Sequence, residues 1–360
     1  MHLTTSLTLL ALSLDVALSI PHLRHTHEKR VDYSVPANFD WKTAADWKNL
    51  NYGNGAPAQA SPKEQPVQPV AQAAAPSPVP EKPKTEQKNT QTSQKQDTSS
   101  NDNAPATNAG GSKRGLAYNY ESPSLDPFKP YASKSLSWAW NWASSPFHLN
   151  GLPLNYCPTL HSLKPDVLKT WDADSKKAVS SAGGKDVYFL GFNEPDIADQ
   201  ANMSPGAAAG AWKQYFGPLT GQGGVKLGSP QVSNGVGTNP ATGQAYGLEW
   251  LKQFFGACGG CKIDFVVVHW YGCTNGCSVD TDVQALKDFV KKAVDFANGK
   301  KVWITELATH LPDQAGFMAK ALPFLDGEPG VERYAYYMVK EGSLMQGGGL
   351  SEAGKKYVGA

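Results

Sequence analysis

Two glutamates stand out because each ends an apolar run. In DVYFLGFNEPD, residues 186–196, Tyr188, Leu190, Phe192 and Glu194 share one parity, and Pro195 closes the run. On a strand of period two, the carboxylate then extends a row of apolar side chains. In KVWITELA, residues 301–308, Val302, Ile304 and Glu306 repeat the pattern. Two buried strands that each end in one carboxyl group offer the pair a glycosidase needs. One acid protonates the leaving oxygen, and one carboxylate attacks carbon or activates water. Either glutamate alone could sit in a buried ion pair, but two at matching strand ends favour catalysis.

Further polar and aromatic residues fall near the same strand ends. Asn193 precedes the first glutamate and could hydrogen-bond a sugar 2-hydroxyl, or stabilise a turn. His269, Trp270 and Tyr271 crown IDFVVVHWY, where a His or Tyr could orient the nucleophile; the alternatives are packing for Trp270 and a core histidine for His269. Trp138, Trp140 and Trp142 alternate and so share one face, with Trp142 as a sugar platform and Trp138 as core. Tyr118 and Asn119 end GLAYN and are placed to line the same mouth.

The elements that must hold these residues can be read from apolar runs between breakers. Runs at 115–119, 135–142, 155–160, 186–194, 225–232, 263–271, 301–307 and 333–339 make eight candidate strands. Helical stretches separate them. One surrounds Trp212; another carries Val283, Leu286, Phe289, Val290 and Val294 at helical spacing, with Asp280 or Thr281 to cap its start and Gly299 its end. Eight alternations predict an α/β fold, a (β/α)8 TIM barrel, with Glu194 ending the fourth strand and Glu306 the seventh. A doubly wound open sheet is the alternative, but no Gly-rich nucleotide fingerprint follows any strand.

As a set, KRGLAYN, WAWNW, YCPTLHS, FLGFNEPD, QANMSP, KLGSPQVSNG, IDFVVVHWYG, WITELA and VERYAYYM resemble the catalytic domain of glycoside hydrolase family 128. That family groups fungal cell-wall β-1,3-glucanases with the alkali-sensitive-linkage wall proteins. The resemblance spans nearly all of residues 114–358 and none of the chain before it. It implies a retaining, clan A-type hydrolase of β-1,3-glucan, with Glu194 as acid/base and Glu306 as nucleophile. Endo attack on fungal cell-wall glucan is the expected mode, by a monomer without cofactor or bound metal. A wall-binding structural protein with little turnover is the alternative; both glutamates being present argues against it.

Composition agrees with a neutral ligand. Lys+Arg 33 against Asp+Glu 32 leaves no basic field for nucleic acid, and the 10 Trp offer stacking surfaces for sugars. Residues 1–19 resemble a secretory signal, although Asp15 interrupts the apolar run and no Lys or Arg precedes it. No segment reads as a membrane span. Residues 20–113 are expected to be a disordered stalk or propeptide, being Pro-, Ala-, Gln- and Ser-rich with few large apolar residues over most of their length. The catalytic domain is placed at 114–360, and the protein outside the cell or in its wall. Cys258, Cys261, Cys273 and Cys277 form a CxxC and a CxxxC, which suits two disulfides in a secreted chain and zinc in a cytosolic one. Cys157 stands apart and reads as a buried thiol.

Overall fold

The computed structural model describes Ser112 to Ala360 apart from Asn275. The expected signal and almost all of the expected stalk lie outside the described residues.

Eight parallel strands appear where the apolar runs lie: β1 Arg114–Ala117, β2 Trp138–Trp140, β3 Asn155–Tyr156, β4 Val187–Phe189, β5 Val225–Leu227, β6 Phe265–Tyr271, β7 Lys301–Ala308 and β8 Val331–Tyr336. Six of them form one sheet in the order β3-β2-β1-β8-β7-β6, and β4 pairs with β5. Single bridges link Thr159 to Leu190, Gly228 to Phe265 and Val232 to Val268, setting β4 beside the exit of β3 and β5 beside β6. The helices are α1 Pro165–Ser181, α2 Pro205–Tyr215, α3 Gly247–Ala257, α4 Val279–Ala297, α5 Gln314–Gly327 and α6 Glu352–Val358. A short antiparallel pair, β9 Met345–Gln346 and β10 Gly349–Leu350, precedes α6. Among the described residues no helix is long and apolar enough to cross a membrane.

Strands β1, β2, β6 and β7 bury both faces over nearly all their length, as parallel strands covered by crossover helices do. On β6, Val266, Val268 and Trp270 join the large cluster packed against the helices. Phe265 and Val267 join a second cluster on the opposite face with Trp138, Trp140, Trp142, Leu190 and Trp303. Alternation along one strand thus sorts the side chains, and the second cluster forms the floor beneath the candidate site.

Helix α4 starts two to three residues before the expected caps: Ser278 is the N-cap, its hydroxyl accepting from Thr281 N. Asp280 lies in the first turn, where its charge suits the helix dipole. At the other end the left-handed residue is Asn298, with φ 47°, directly before Gly299.

The chain's first strand is anchored at its basic pair. Arg114 donates to Tyr357 O at 2.7 Å and Tyr334 Oη at 2.9 Å, and pairs with Asp326; Lys113 Nζ donates to Glu328 O at 2.8 Å. Lys113-Arg114 therefore ties β1 to the C-terminal helices.

Candidate active site

Glu306 reaches the site through a break in register. β6 and β7 pair Val268 with Ile304, and the next pair is His269 with Glu306, so Thr305 is an extra residue on β7. Without that bulge Glu306 would keep the parity of Val302 and Ile304, both of which pack against the helices. With it, the carboxylate meets the inward face of β6.

Glu194 arrives by a different device. Regular alternation ends at Leu190: Tyr188 and Leu190 face the inner cluster, but Phe192 turns outward to lie 6.2 Å from Trp212 and 5.8 Å from Phe216. At Gly191 the chain passes so close to the β5 exit that a Cβ would stand 2.7 Å from Pro230 N. Glu194 itself has φ 41°, a left-handed conformation that a side chain-bearing residue seldom adopts. The shared parity of Phe192 and Glu194 expected from the sequence does not survive this turn.

His269 joins the two carboxylates. Its Nδ1 lies 2.9 Å from Glu194 Oε1 and 3.3 Å from Glu306 Oε1, with all three residues buried. The three groups offer atoms within 4.8 Å of one another, which among the described residues is also the one set able to hold a metal ion. Glu306 is held from two further sides. Trp142 Nε1 donates to Oε1 at 2.9 Å, and the Tyr271 hydroxyl donates to Oε2. Trp142 too is left-handed, with φ 61°, two residues past β2. Its ring packs 4.5 Å from Trp140 and 5.7 Å from Tyr337, leaving it only 4% exposed. Trp142 thus meets the site as an N–H donor, where an open sugar platform was expected.

The remaining nominated residues divide. Asn193 precedes Glu194 in the chain and is fully buried: Nδ2 donates to Gln200 at 3.2 Å, while Oδ1 has no protein partner. Trp270 points away, stacked 5.7 Å from Phe317 on α5, as the parity opposite to His269 requires. Tyr118 is fully buried, its hydroxyl accepting from Asn141 Nδ2 at 3.4 Å. The Asn119 side chain forms a turn, its Oδ1 accepting from Glu121 N at 2.9 Å.

Several residues that support the site carried no sequence signal. Asp196, two residues past Glu194, accepts from Ser233 Oγ at 2.6 Å and Gly247 N at 2.8 Å. It ties the Glu194 loop to the β5 exit and the start of α3. Burial raises its pKa above the ordinary carboxyl value; the Ser233 and Gly247 donors oppose this and the charge of Glu194 adds to it. Asp282 does the same for β6 and β7, accepting from Cys273 N at 2.9 Å and Thr309 Oγ1 at 2.6 Å; burial likewise raises its pKa. Gln231 accepts from Thr305 Oγ1 at 2.8 Å and so braces the bulge.

The cysteines pair locally, Cys258 with Cys261 and Cys273 with Cys277. The first closes the end of α3 and the second the loop after β6. Cys157 is a buried free thiol, pushed up to about 12 by burial against the opposing pull of Arg333, which leaves it a poor nucleophile.

Known proteins share this architecture. A relative from Schizosaccharomyces pombe, alkali-sensitive linkage protein 1, is 32% identical over 267 residues, which cover 68% of this chain and 44% of that protein. The chain therefore spans less than half the length of that relative. A family 128 subgroup III curdlan-specific exo-β-1,3-glucanase from Blastomyces gilchristii, solved with glucose, is 37% identical with a TM-score of 0.56, over 68% of this chain and 97% of that one. A subgroup II endo-β-1,3-glucanase from Sorangium cellulosum is 28% identical with a TM-score of 0.55, over the same shares, 68% and 97%. The sequence profile described as glycosyl hydrolase catalytic core matches residues 115–357, and the chain belongs to that family.

Proposed function

We propose that this protein is a retaining glycoside hydrolase that cleaves β-1,3-glucan, with Glu306 as nucleophile and Glu194 as acid/base. The observation that carries the reading is the close approach of the two carboxyl groups, whose oxygens lie within 4.8 Å of each other and of His269 Nδ1. Retaining enzymes hold their carboxyls about 5–5.5 Å apart, and inverting enzymes leave about 6.5–9.5 Å to admit a water between.

In the first step an oxygen of Glu306 attacks the anomeric carbon while Glu194 gives its proton to the departing glycosidic oxygen. The product is a glycosyl ester on Glu306. Glu194, now a carboxylate, takes a proton from water as that water attacks the same carbon, and the ester bond to Glu306 breaks. Two inversions return the starting configuration. Trp142 and Tyr271 fix the two oxygens of the nucleophile, so that attack does not wait on rotation of a free carboxylate. In the tautomer with its proton on Nδ1, His269 donates over the shorter distance to Glu194 Oε1, which leaves Oε2 to carry the transferable proton. Asn193 Oδ1, buried without a protein partner, is the acceptor we assign to a sugar hydroxyl.

The catalytic domain is residues 114–360, and its eight strands close into a barrel. Bridges linking β3 to β4 and β5 to β6, together with the β1–β8 pairing, support closure. The β-1,3 linkage is proposed from the similar solved structures, which are β-1,3-glucanases, and a place outside the cell or in its wall from the resemblance to wall proteins in the sequence. The test is incubation with linear β-1,3-glucan oligosaccharides, following the anomer first released by NMR. The β-anomer alone supports double displacement; the α-anomer alone removes Glu306 from the nucleophile role. Internal cuts giving mixed oligosaccharides mark endo action, and stepwise glucose release marks exo action.

A further inference from the structure

Among the described residues Tyr120 is the one large hydrophobic side chain that is exposed, at 53%. It lies three residues past β1, on the face where parallel strands deliver Glu194 and Glu306, and its orientation is built in. Phe147, from the loop after β2, stacks against one face of the ring with centroids 3.9 Å apart and planes 3° from parallel. His148 meets it edge-on at 5.7 Å. The turn that presents Tyr120 is held at both ends: Asn119 N donates to Ser122 Oγ at 2.9 Å, and Ser122 N donates to Asn119 O. The β2 loop keeps its shape through non-glycine left-handed residues, His148 with φ 60° and Asn150 with φ 48°, and by the Tyr156 hydroxyl against Ala143 O. Two loops thus hold one aromatic ring with its free face to solvent.

A continuous set of contacts leads from this ring to the nucleophile. Phe147 packs edge-on against Tyr118 at 6.2 Å, the Tyr118 hydroxyl accepts from Asn141, and the neighbouring Trp142 donates to Glu306. A rigid, exposed aromatic face suits a partner that is flat, has axial C–H groups and is ringed by hydroxyls, which is the description of a pyranose face. We propose that Tyr120, backed by Phe147, is a platform for a glucose unit remote from the cleaved bond, so that the enzyme gains affinity from long glucan chains. The inference rests on the glucanase reading of Glu194 and Glu306 and assigns that site an extended substrate.

The experiment compares the full chain with Tyr120→Ala, Phe147→Ala and Tyr120→Trp, on a linear β-1,3-linked hexasaccharide and an aryl disaccharide that fills only the sites beside the carboxylates. The expected result is a fall of about threefold to tenfold in kcat/KM for the hexasaccharide relative to the disaccharide in both alanine variants, with the ratio kept by Tyr120→Trp. An unchanged ratio overturns the platform, and so does an equal loss on both substrates, which would mark a structural role. A change in elution volume on gel filtration of Tyr120→Ala would assign the ring to a second copy of the chain and also overturn it. If the parent turns over neither substrate, the glucanase reading fails. Retardation of the full chain in gels containing soluble linear β-1,3-glucan then decides the platform: loss of retardation in Tyr120→Ala upholds it, and retention overturns it.

Discussion

His269 faces Glu306 across the β6–β7 ladder because β7 carries one residue more than its partner between Ile304 and Glu306. The same imidazole nitrogen approaches Glu194, so one side chain sets the distance between the two carboxyl groups. His269 is a positioning residue in this arrangement. His269→Ala should lower kcat by about tenfold to a hundredfold and displace the alkaline limb of the pH–rate profile, where the general acid Glu194 loses its proton, because Glu194 loses its hydrogen-bond partner. A purely structural role would lower the melting temperature and leave the pH profile in place.

Removal of either glutamate separates their roles. Glu306→Ala and Glu194→Ala should each cost several kcal/mol of transition-state stabilisation, at about 1.36 kcal/mol per tenfold in rate. Azide supplies the distinction. In Glu306→Ala it occupies the space of the lost carboxylate and attacks once, giving the α-glycosyl azide. In Glu194→Ala, with an activated leaving group, it attacks the ester on Glu306 and gives the β-azide. Products in the opposite sense would exchange the two assignments.

Trp142→Phe keeps the ring in its contacts with Trp140 and Tyr337 and removes one N–H from Glu306. A hydrogen bond to a charged group is worth about 1.5–3 kcal/mol, so kcat should fall by roughly one to two orders of magnitude. KM for short substrates and the melting temperature should move little. A variant with parental kcat would show that Tyr271 and His269 hold Glu306 without help.

The strands were legible because each is an apolar run bounded by Gly, Pro or polar breakers, and all eight runs hold a strand. The local events that aim Glu194 and Glu306 at one another were not. Phe192 facing α2, the left-handed Glu194 and the Thr305 bulge are responses to neighbouring strands, and no periodicity within one strand encodes them. Parity decides between the two readings of Trp270: His269 and Tyr271 share a face, and Trp270 opposes it and packs on Phe317. Asp196 and Asp282 escaped because a buried carboxylate that ties loops together looks, in sequence, like any acidic residue near a turn.

Those two aspartates make a prediction about pH. Burial raises the pKa of both in the folded chain, so the folded state holds their protons more tightly than the unfolded state does. Their contribution to stability is therefore full below the ordinary carboxyl value and is lost as pH rises through the raised values. Stability measured by urea midpoint should rise as pH is lowered from neutrality into mild acid, before other carboxylates reverse the trend. Asp196→Asn tests the larger claim that this carboxyl ties the Glu194 loop in place. An amide offers one acceptor oxygen to Ser233 N, Ser233 Oγ and Gly247 N, so the variant should lose about 1–3 kcal/mol at neutral pH. Its pH slope in mild acid should also flatten, since one of the two titrating groups is gone. An unchanged slope would place the titration elsewhere and leave Asp196 as a hydrogen-bonding strut alone.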